Sequence, residues 1–478
     1  MKKAHLILIL LILYLLPRLF LATEIPIRKD EGVYAIMIEE QIEHLTLVPT
    51  FFGYEVGWKP PLYFWLSIPF VILTKMIPFL PLELVYRSSS LFFGLAAMVP
   101  LYYIFRKFED EEFALLAVGL YALLPISAYP ESLVLLDATC LLFVLLAIWA
   151  YLEYKKGNEY FLLAGIFVFM AFFTKLVLAF VPPIVFFAYL WQNDRKTLLN
   201  KWFLLSLLAP LTAFILNHLT YSNEGQAEAL YLDLVSGKLL GGLDYGLFLS
   251  TLLPLFFLTG PFLILACQGL LKHLKGNLFF TIWFALVIFP LLGGRWMPWY
   301  FLPITPPIIY FSLLVVLEDR KKVFADRFAI TMLTLFVIAS WLFFVPIFLS
   351  DMYYLPAKHA GKFLAGKENV LIIGNYSSGV FAYKMLEEKR QLGYSLDYGL
   401  VVFYPEHFDL LPDLIENYNY HDPRIIDGNF EKMFFDVMVY RKNTNISKFD
   451  YIAIIGESTC MPGGRTFNDS YINIYRKN

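Results

Sequence analysis

Charge is the scarcest resource in this sequence. Only 16% of the 478 residues are Asp, Glu, Lys or Arg, against 59% hydrophobic, and the mean hydropathy is +0.62. A soluble chain of this length needs far more charge on its surface, so that class is excluded. Cysteine is nearly absent, with three in all. Cys140 and Cys267 fall in apolar runs, where they read as small buried hydrophobes. Cys460 stands alone, so neither a disulfide framework nor a cysteine metal cluster is encoded. The net charge of −2 gives no field for nucleic acid. There is no GxxxxGK[ST] loop, no HExxH, no DxD pair, no internal repeat and no low-complexity tract. The stretch Gly374–Gly379 has the wrong spacing for a dinucleotide loop and reads as a plain strand–helix turn.

What the sequence has in abundance is apolar residues in long blocks, such as Met1–Ala22, Leu91–Phe105, Leu133–Ala150, Phe161–Thr174, Leu204–Leu216 and Ile330–Leu349. Runs of roughly 17–25 apolar residues match the hydrocarbon thickness of a bilayer. The first block lacks a small-x-small cleavage site and contains Pro17 and Arg18, so it reads as an uncleaved span.

Basic residues near span ends mark the cytoplasmic side. They recur at Arg106/Lys107, Lys155/Lys156, Arg195/Lys196/Lys201, Lys272/Lys275 and Arg320/Lys321/Lys322. This alternation predicts spans near 4–22, 87–105, 112–130, 137–153, 160–175, 176–191, 201–219, 246–271, 278–293, 300–318 and 328–350. The expected fold is a polytopic α-helical membrane protein of about eleven transmembrane helices. Residues 1–350 form the transmembrane domain, with a long external loop at 23–86. Residues 351–478 are polar, with strand signals at Val370–Ile373, Leu400–Phe403 and Tyr451–Ile455, and read as a small soluble external α/β domain.

The leftover apolar stretch Pro61–Leu80 would invert every later loop if it were a span. It carries Pro69, Lys75 and Pro78, and is placed on the outer surface as interfacial helices. Residues 32–45 have helical periodicity and read as an amphipathic helix on the membrane. Glu109–Glu112, the densest acidic run, reads as a solvated cytoplasmic loop. Residues 220–245 form a second external loop.

The candidate chemistry gathers at the outer span ends. Asp30 and Glu31 are adjacent carboxylates just outside the first span. They suit a general base or a metal, although Asp at an N-cap and Glu in a first turn are also simply good helix starters. Lys59, beside a rigid Pro60-Pro61 and the aromatics Trp58, Tyr63 and Trp65, suits a lipid phosphate at the interface, or ordinary anchoring. Asp137 opens a span, and Lys175 lies between two. Arg87 and Arg295 also sit at outer ends. With Lys59 and Lys175 they make an electropositive patch suited to a phosphate leaving group.

Taken in order, these segments resemble the GT-C membrane glycosyltransferases. The matching elements are Asp30-Glu31 with Tyr34-Ala35, Lys59-Pro60-Pro61-Leu62-Tyr63 with Trp65, Asp137-Ala138, Phe173-Thr174-Lys175, and Pro298, Tyr300 and Pro303. The branch they resemble is that of the aminoarabinose lipid A transferases and protein O-mannosyltransferases, over about residues 1–318. Each motif alone is common; the ordered set is specific. The resemblance implies a polyprenyl-phosphate-linked sugar as donor, used on the outer face of the cell membrane, and a lipid or protein acceptor. It implies a catalytic base at Asp30, with Glu31 beside it, and donor phosphate binding by Lys59 and Lys175; Arg87, Arg295 and Tyr300 are expected to join that phosphate- and lipid-binding site. It also implies that Asp137 orients Lys175.

The basic residue ahead of Pro298 stands one position further back than the family pattern, at Arg295, and Glu55 rather than a glutamate adjoining Lys59 precedes the lysine. These departures put the divalent metal of some relatives in doubt, and no other cofactor is implied. The competing reading is a multi-span transporter or flippase of a lipid or small solute, which should carry charges at midplane on broken, repeated helices. A third, a non-catalytic sensing protein, leaves the ordered motifs unexplained.

Overall fold

The computed structural model describes residues 3–51, 54–56, 59–220, 245–274, 276–291, 297–317, 327–352, 355–366, 370–374, 377–392, 400–402, 418–424, 451–456 and 471–477. Arg295, Trp58, Lys275, the 320–322 basic cluster, Cys460 and most of the 220–245 loop lie outside these residues.

Helices dominate: α1 (Lys3–Glu24), α2 (Lys29–His44), α3 (Leu62–Lys75), α4 (Leu82–Phe108), α5 (Glu111–Leu123), α6 (Pro125–Glu131), α7 (Asp137–Leu152), α8 (Glu159–Phe172), α9 (Val181–Asn193), α10 (Lys201–Ser206) and α11 (Ala209–Thr220). After the 220–245 loop come α12 (Tyr245–Thr259), α13 (Pro261–His273), α14 (Leu278–Leu291), α15 (Thr305–Leu317), α16 (Arg327–Met352), α17 (Leu355–Leu364) and α18 (Ser377–Leu392). A two-residue hairpin, β1 (Thr50–Phe51) and β2 (Tyr54–Glu55), separates α2 from α3.

Among the described residues, four helical stretches are long and apolar enough to cross a membrane: His5–Glu24, Leu82–Phe108, Pro298–Leu317 and Phe328–Leu364. The number becomes six if each of two bent pairs is one span, and shorter apolar helices fill most of the remaining expected positions. The two bends depart from the straight spans expected at 112–130 and 246–271. Between α5 and α6 the axis turns by 55°. Leu124 is extended there (ψ 139°) because the ring of Pro125 disfavours a helical residue before it, while Pro itself is well suited to the first helical position. Between α12 and α13 it turns by 104°. Gly260 sits at φ +55° and ψ −133°, a conformation open to glycine alone, and Pro261 follows. A Cβ on Gly260 would also stand 2.9 Å from Cα of Ser340, whose hydroxyl donates to the Thr259 carbonyl freed by the break.

The chain divides into two compact units. One comprises Met1–Ala22, Glu40–Val71 and Arg87–Ile347; the other comprises Thr23–Glu39, Ile72–Tyr86 and Phe348–Asn478. The boundary expected at residue 350 is therefore joined by four further crossings, because two parts of the 23–86 segment group with the C-terminal residues.

In the first unit, the described turns bearing basic clusters meet at one end. Lys107 and Lys156 both reach Glu153, at 3.9 and 2.7 Å. Tyr154 donates to Asp194 (3.0 Å), next to Arg195. Gln192 donates to the Gly276 carbonyl (3.2 Å), beyond Lys272. At this end Glu109–Glu112 is solvent-accessible as expected, with Asp110 and Glu111 exposed, but it is a helix start rather than a loop. The Asp110 carboxylate accepts from the Phe113 amide (2.8 Å) and caps α5. Tyr310 donates to Glu109 (2.8 Å).

Deep in the same unit lies an ion pair with no solvent exposure, Arg18–Glu131, at 2.6 Å. The guanidinium also donates to the carbonyls of Ala122 (2.5 Å) and Tyr121 (3.3 Å), at the C-terminal end of α5 where the bend leaves carbonyls without helical partners. Tyr121 donates to the other Glu131 oxygen, and the Tyr14 ring lies 3.8 Å under the Arg18 guanidinium.

In the second unit, β3 (Val370–Gly374), β4 (Leu400–Val402), β5 (Tyr418–Arg424), β6 (Tyr451–Gly456) and β7 (Tyr471–Lys477) form a sheet of order β4-β3-β6-β7-β5. β3 runs parallel to both β4 and β6, with Val370 opposite Tyr451. β7 is antiparallel to β6 and β5. α2 is not the surface amphipathic helix expected. Residues 31–41 are buried on every face, and the polar positions read as solvent-facing are paired instead. Glu39 holds Lys75 (2.5 Å) and Tyr86 (2.6 Å). Over Pro61–Leu80 the structure has the single apolar helix α3.

Candidate functional site

Three of the expected residues come together in the first unit. Asp137 occupies the first turn of α7, where the helix dipole favours a carboxylate, and its side chain is 3% exposed. Lys175 follows α8 in an extended conformation (φ −155°, ψ 101°) that breaks the helix and turns its side chain back. Its Nζ lies 2.6 Å from Oδ1 of Asp137 and 4.1 Å from the ring centroid of Tyr300, in the 3-10 helix Pro298–Ile304. The Lys175 side chain remains 25% exposed. An ammonium has three donors, and among the described residues one is spent on Asp137, so two are left for an incoming anion. The charge is thus oriented by a carboxylate and an aromatic face without being sealed off.

The Lys59 motif adjoins this group. The amide of Leu62 donates to the Phe173 carbonyl (3.2 Å), and the Trp65 and Phe173 rings lie 6.3 Å apart. Lys59 itself is half-buried. The site sits at the N-terminal end of α7, whereas the basic turn at Glu153 adjoins its C-terminal end, 16 residues on. At 1.5 Å per residue that is about 24 Å, most of a bilayer core.

Arg87 is not on this exposed edge. It is fully buried, and its Nη1 donates to the Ala22 carbonyl (2.9 Å). Arg295 lies outside the described residues.

Asp30 and Glu31 belong to the second unit. α2 begins at Lys29, and the Gly32 amide bonds the Arg28 carbonyl (3.2 Å), so Arg28 rather than Asp30 is the cap. Asp30 is part-exposed and Glu31 buried (2%). Simple N-capping therefore does not account for Asp30, although a first-turn carboxylate still gains from the dipole. Among the described residues, no three His, Cys, Asp or Glu side chains gather as a metal-binding group, so no step is routed through a metal.

Sequence reasoning missed two supporting features. Cys140, read as a filler, points its Sγ at the carbonyls of Ala171 (3.7 Å) and Lys175 (3.9 Å), one helical turn from Asp137. The Arg18–Glu131 pair was legible only as two ionisable residues inside or beside apolar runs, the signal that marks intramembrane partners.

Residues 58–220 match the family described as dolichyl-phosphate-mannose-protein mannosyltransferase, a stretch holding Lys59, Arg87, Asp137 and Lys175. No curated protein matches by sequence. Among solved structures, ArnT from Cupriavidus metallidurans in the apo state superposes with a TM-score of 0.62 at 14% identity, covering 87% of this chain and 96% of that one. The same protein bound to undecaprenyl phosphate gives 0.59 at 12% identity, covering 99% and 98%. An Archaeoglobus fulgidus oligosaccharyltransferase tethered to an acceptor peptide gives 0.53 at 14% identity, covering 85% of this chain and 64% of its own. The family match, which spans residues 58–220, and the shared fold make this chain similar to the GT-C membrane glycosyltransferases that its ordered motifs resemble.

Proposed function

We propose that the chain transfers a sugar from a polyprenyl-phosphate donor to a hydroxyl or phosphate oxygen of a lipid or protein acceptor, on the outer face of the cell membrane. The observation that carries this reading is the Lys175 ammonium, oriented by Asp137 and Tyr300 with donors to spare, at a family-motif position. A cation so placed binds a phosphate and gains strength of interaction as negative charge grows on it during bond breaking. Lys59 acts on the same phosphate. The ArnT structure bound to undecaprenyl phosphate supports a lipid phosphate of that class as donor.

In the proposed step, Asp30 takes the proton of the acceptor oxygen. That oxygen forms a bond to the anomeric carbon, and the carbon–oxygen bond to the phosphate breaks. The polyprenyl phosphate leaves with the electron pair, so the anomeric centre inverts. An already activated lipid donor fits a compartment without nucleotide sugars. The 351–478 segment belongs to the same outer face in this reading.

The test is transfer by the purified chain from a polyprenyl-phosphate sugar, with wild type compared to Asp30→Asn. The amide keeps the shape but takes no proton, and loss of a general base lowers rates about 10²–10⁴-fold. Wild-type turnover by Asp30→Asn would remove Asp30 from the mechanism.

A further inference from the structure

The C-terminal residues have no part in the chemistry just proposed, yet within the second unit they grip the chain immediately ahead of Asp30. The backbone amide of Ile27 donates to the hydroxyl of Tyr383 on α18 (2.7 Å). That hydroxyl donates onward to Oε1 of Glu83 (2.8 Å). The same carboxylate oxygen receives Nζ of Lys358 on α17, at 2.6 Å. Ile27, Glu83 and Tyr383 are all 0% exposed. One residue further, Arg28 is ion-paired with Asp351, which is itself 1% exposed. Arg28 is also the residue whose carbonyl opens α2.

The two residues that set where α2 begins are therefore both held by partners from 351 onward. Ile27 has a buried amide that no other described group satisfies, so losing Tyr383 Oη leaves it orphaned. Lys358 and Glu83 in turn fix the tyrosine hydroxyl from behind. A tyrosine used only for packing would not need its hydroxyl shared between a backbone amide and an ion-paired carboxylate.

We infer that Tyr383 and Asp351 are positioning residues for the first turn of α2, so that the C-terminal segment sets the placement of Asp30. This rests on Asp30 being the base. The segment is then a brace for the active site, where misplacement of a reacting group by about 1 Å costs roughly 100-fold in rate.

The experiment uses the full chain. Tyr383→Phe keeps the ring and removes the hydroxyl; Asp351→Asn keeps the shape and removes the charge. Hydrogen exchange over residues 25–34 is measured alongside kcat and the donor KM, in the wild-type and Asp30→Asn backgrounds. Exchange over 25–34 is expected to rise in both variants. kcat is expected to fall about 10- to 100-fold at unchanged donor KM, and that loss is expected to vanish in the Asp30→Asn background. Unchanged exchange over 25–34 overturns the inference, and so does an equal loss of kcat in both backgrounds, which is what general destabilisation gives. Wild-type turnover by Asp30→Asn alone would instead remove the base, and the exchange readout, which needs no activity, keeps that failure separate.

Discussion

Lys175 Nζ and Asp137 Oδ1 stand 2.6 Å apart although 38 residues separate them, each at the broken end of a helix. The carboxylate is nearly sealed and the ammonium is not. Removing the lysine leaves a buried charge unpaired, whereas removing the aspartate leaves a lysine that can swing to solvent. Lys175→Ala is therefore expected to weaken donor binding more than Asp137→Ala, and the double mutant to lose less than the sum. Lys175→Arg keeps the charge but not the fit over Tyr300. Donor binding and turnover across the four-variant cycle measure this. Strict additivity with unchanged donor binding would show that the pair does not act as a unit.

Asp30 and Glu31 should behave differently despite being adjacent. Asp30 is part-exposed and Glu31 buried. Asp30→Asn is expected to lower transfer about 10²–10⁴-fold, as loss of a general base does, at near wild-type stability. Glu31→Ala is expected to lower thermal stability as well. Melting temperature in detergent, read beside turnover, separates the two; a stability loss for Asp30→Asn as large as for Glu31→Ala would make both structural.

Membrane sidedness is open to direct labelling. The turns with basic clusters share one end of the first unit, and the Lys175–Asp137 pair lies at the other end of α7. An impermeant thiol reagent on intact cells is expected to label a cysteine placed at 351–366 and to spare one placed at Glu111. Labelling at Glu111 from outside would reverse the orientation.

The Arg18–Glu131 pair should matter to stability far more than an exposed pair would. Breaking a buried pair by removing one partner costs about 3–5 kcal/mol. Glu131→Gln or Arg18→Ala should lower the melting temperature strongly, and Arg18→Met with Glu131→Leu should cost less than the sum. Gly94→Ala belongs to the same set, because its Cβ would stand 2.3 Å from the Tyr14 hydroxyl and 2.5 Å from Cδ of Glu131. A melting temperature unchanged in Glu131→Gln would mean that the pair contributes nothing net.

Glu109 gives a pH dependence of unusual sign for a carboxylate. Burial pushes its pKa up; the Tyr310 hydrogen bond opposes this only in part. A raised folded value means the group's contribution is full below the ordinary carboxylate pKa and is lost as pH rises through the folded value. A protonated Glu109 can donate to the Tyr310 oxygen, leaving the phenol hydrogen for Asn277, which lies 2.9 Å away. The difference in melting temperature between wild type and Glu109→Gln is therefore expected to move against wild type as pH rises from about 4.5 towards 7. A constant difference over that range would dismiss the titration.

Much of the membrane architecture was legible because it is periodic. Apolar runs of span length and recurrent basic turns are local signals, and the turn at Phe173–Lys175 falls between helices where the two spans were expected to meet. The strands at 370–374, 400–402 and 451–456 likewise follow short apolar runs bounded by polar sequence. The burial of α2 was not legible. Glu39, Glu40 and Gln41 look like a solvent face, and only long-range partners reveal otherwise: Lys75 and Tyr86 for Glu39, and Thr50 for Glu40 at 2.6 Å. The 104° bend was readable in principle from Gly260-Pro261, but the apolar run continues through it and hides the break. Within the candidate site, Asp137 and Lys175 were legible as opposite charges at neighbouring span ends. The burial of Arg87 was not, since sequence position alone does not say which way a span-end arginine points.

The buried pair between α1 and α6 also bears on how the protein is made. Arg18 is synthesised 113 residues before the carboxylate that neutralises it, a delay of about 6–23 s at 5–20 residues per second. Through that interval the first helix carries an uncompensated charge, costing on insertion scales about 2.5–3.5 kcal/mol at a helix centre. α1 is thus a poor candidate for early, independent release into lipid. Its stable residence awaits α6, which makes the assembly of this half of the bundle an ordered event during translation. Nascent chains stopped short of Glu131 should leave α1 beside the insertion machinery in crosslinking, and chains extended past α6 should release it.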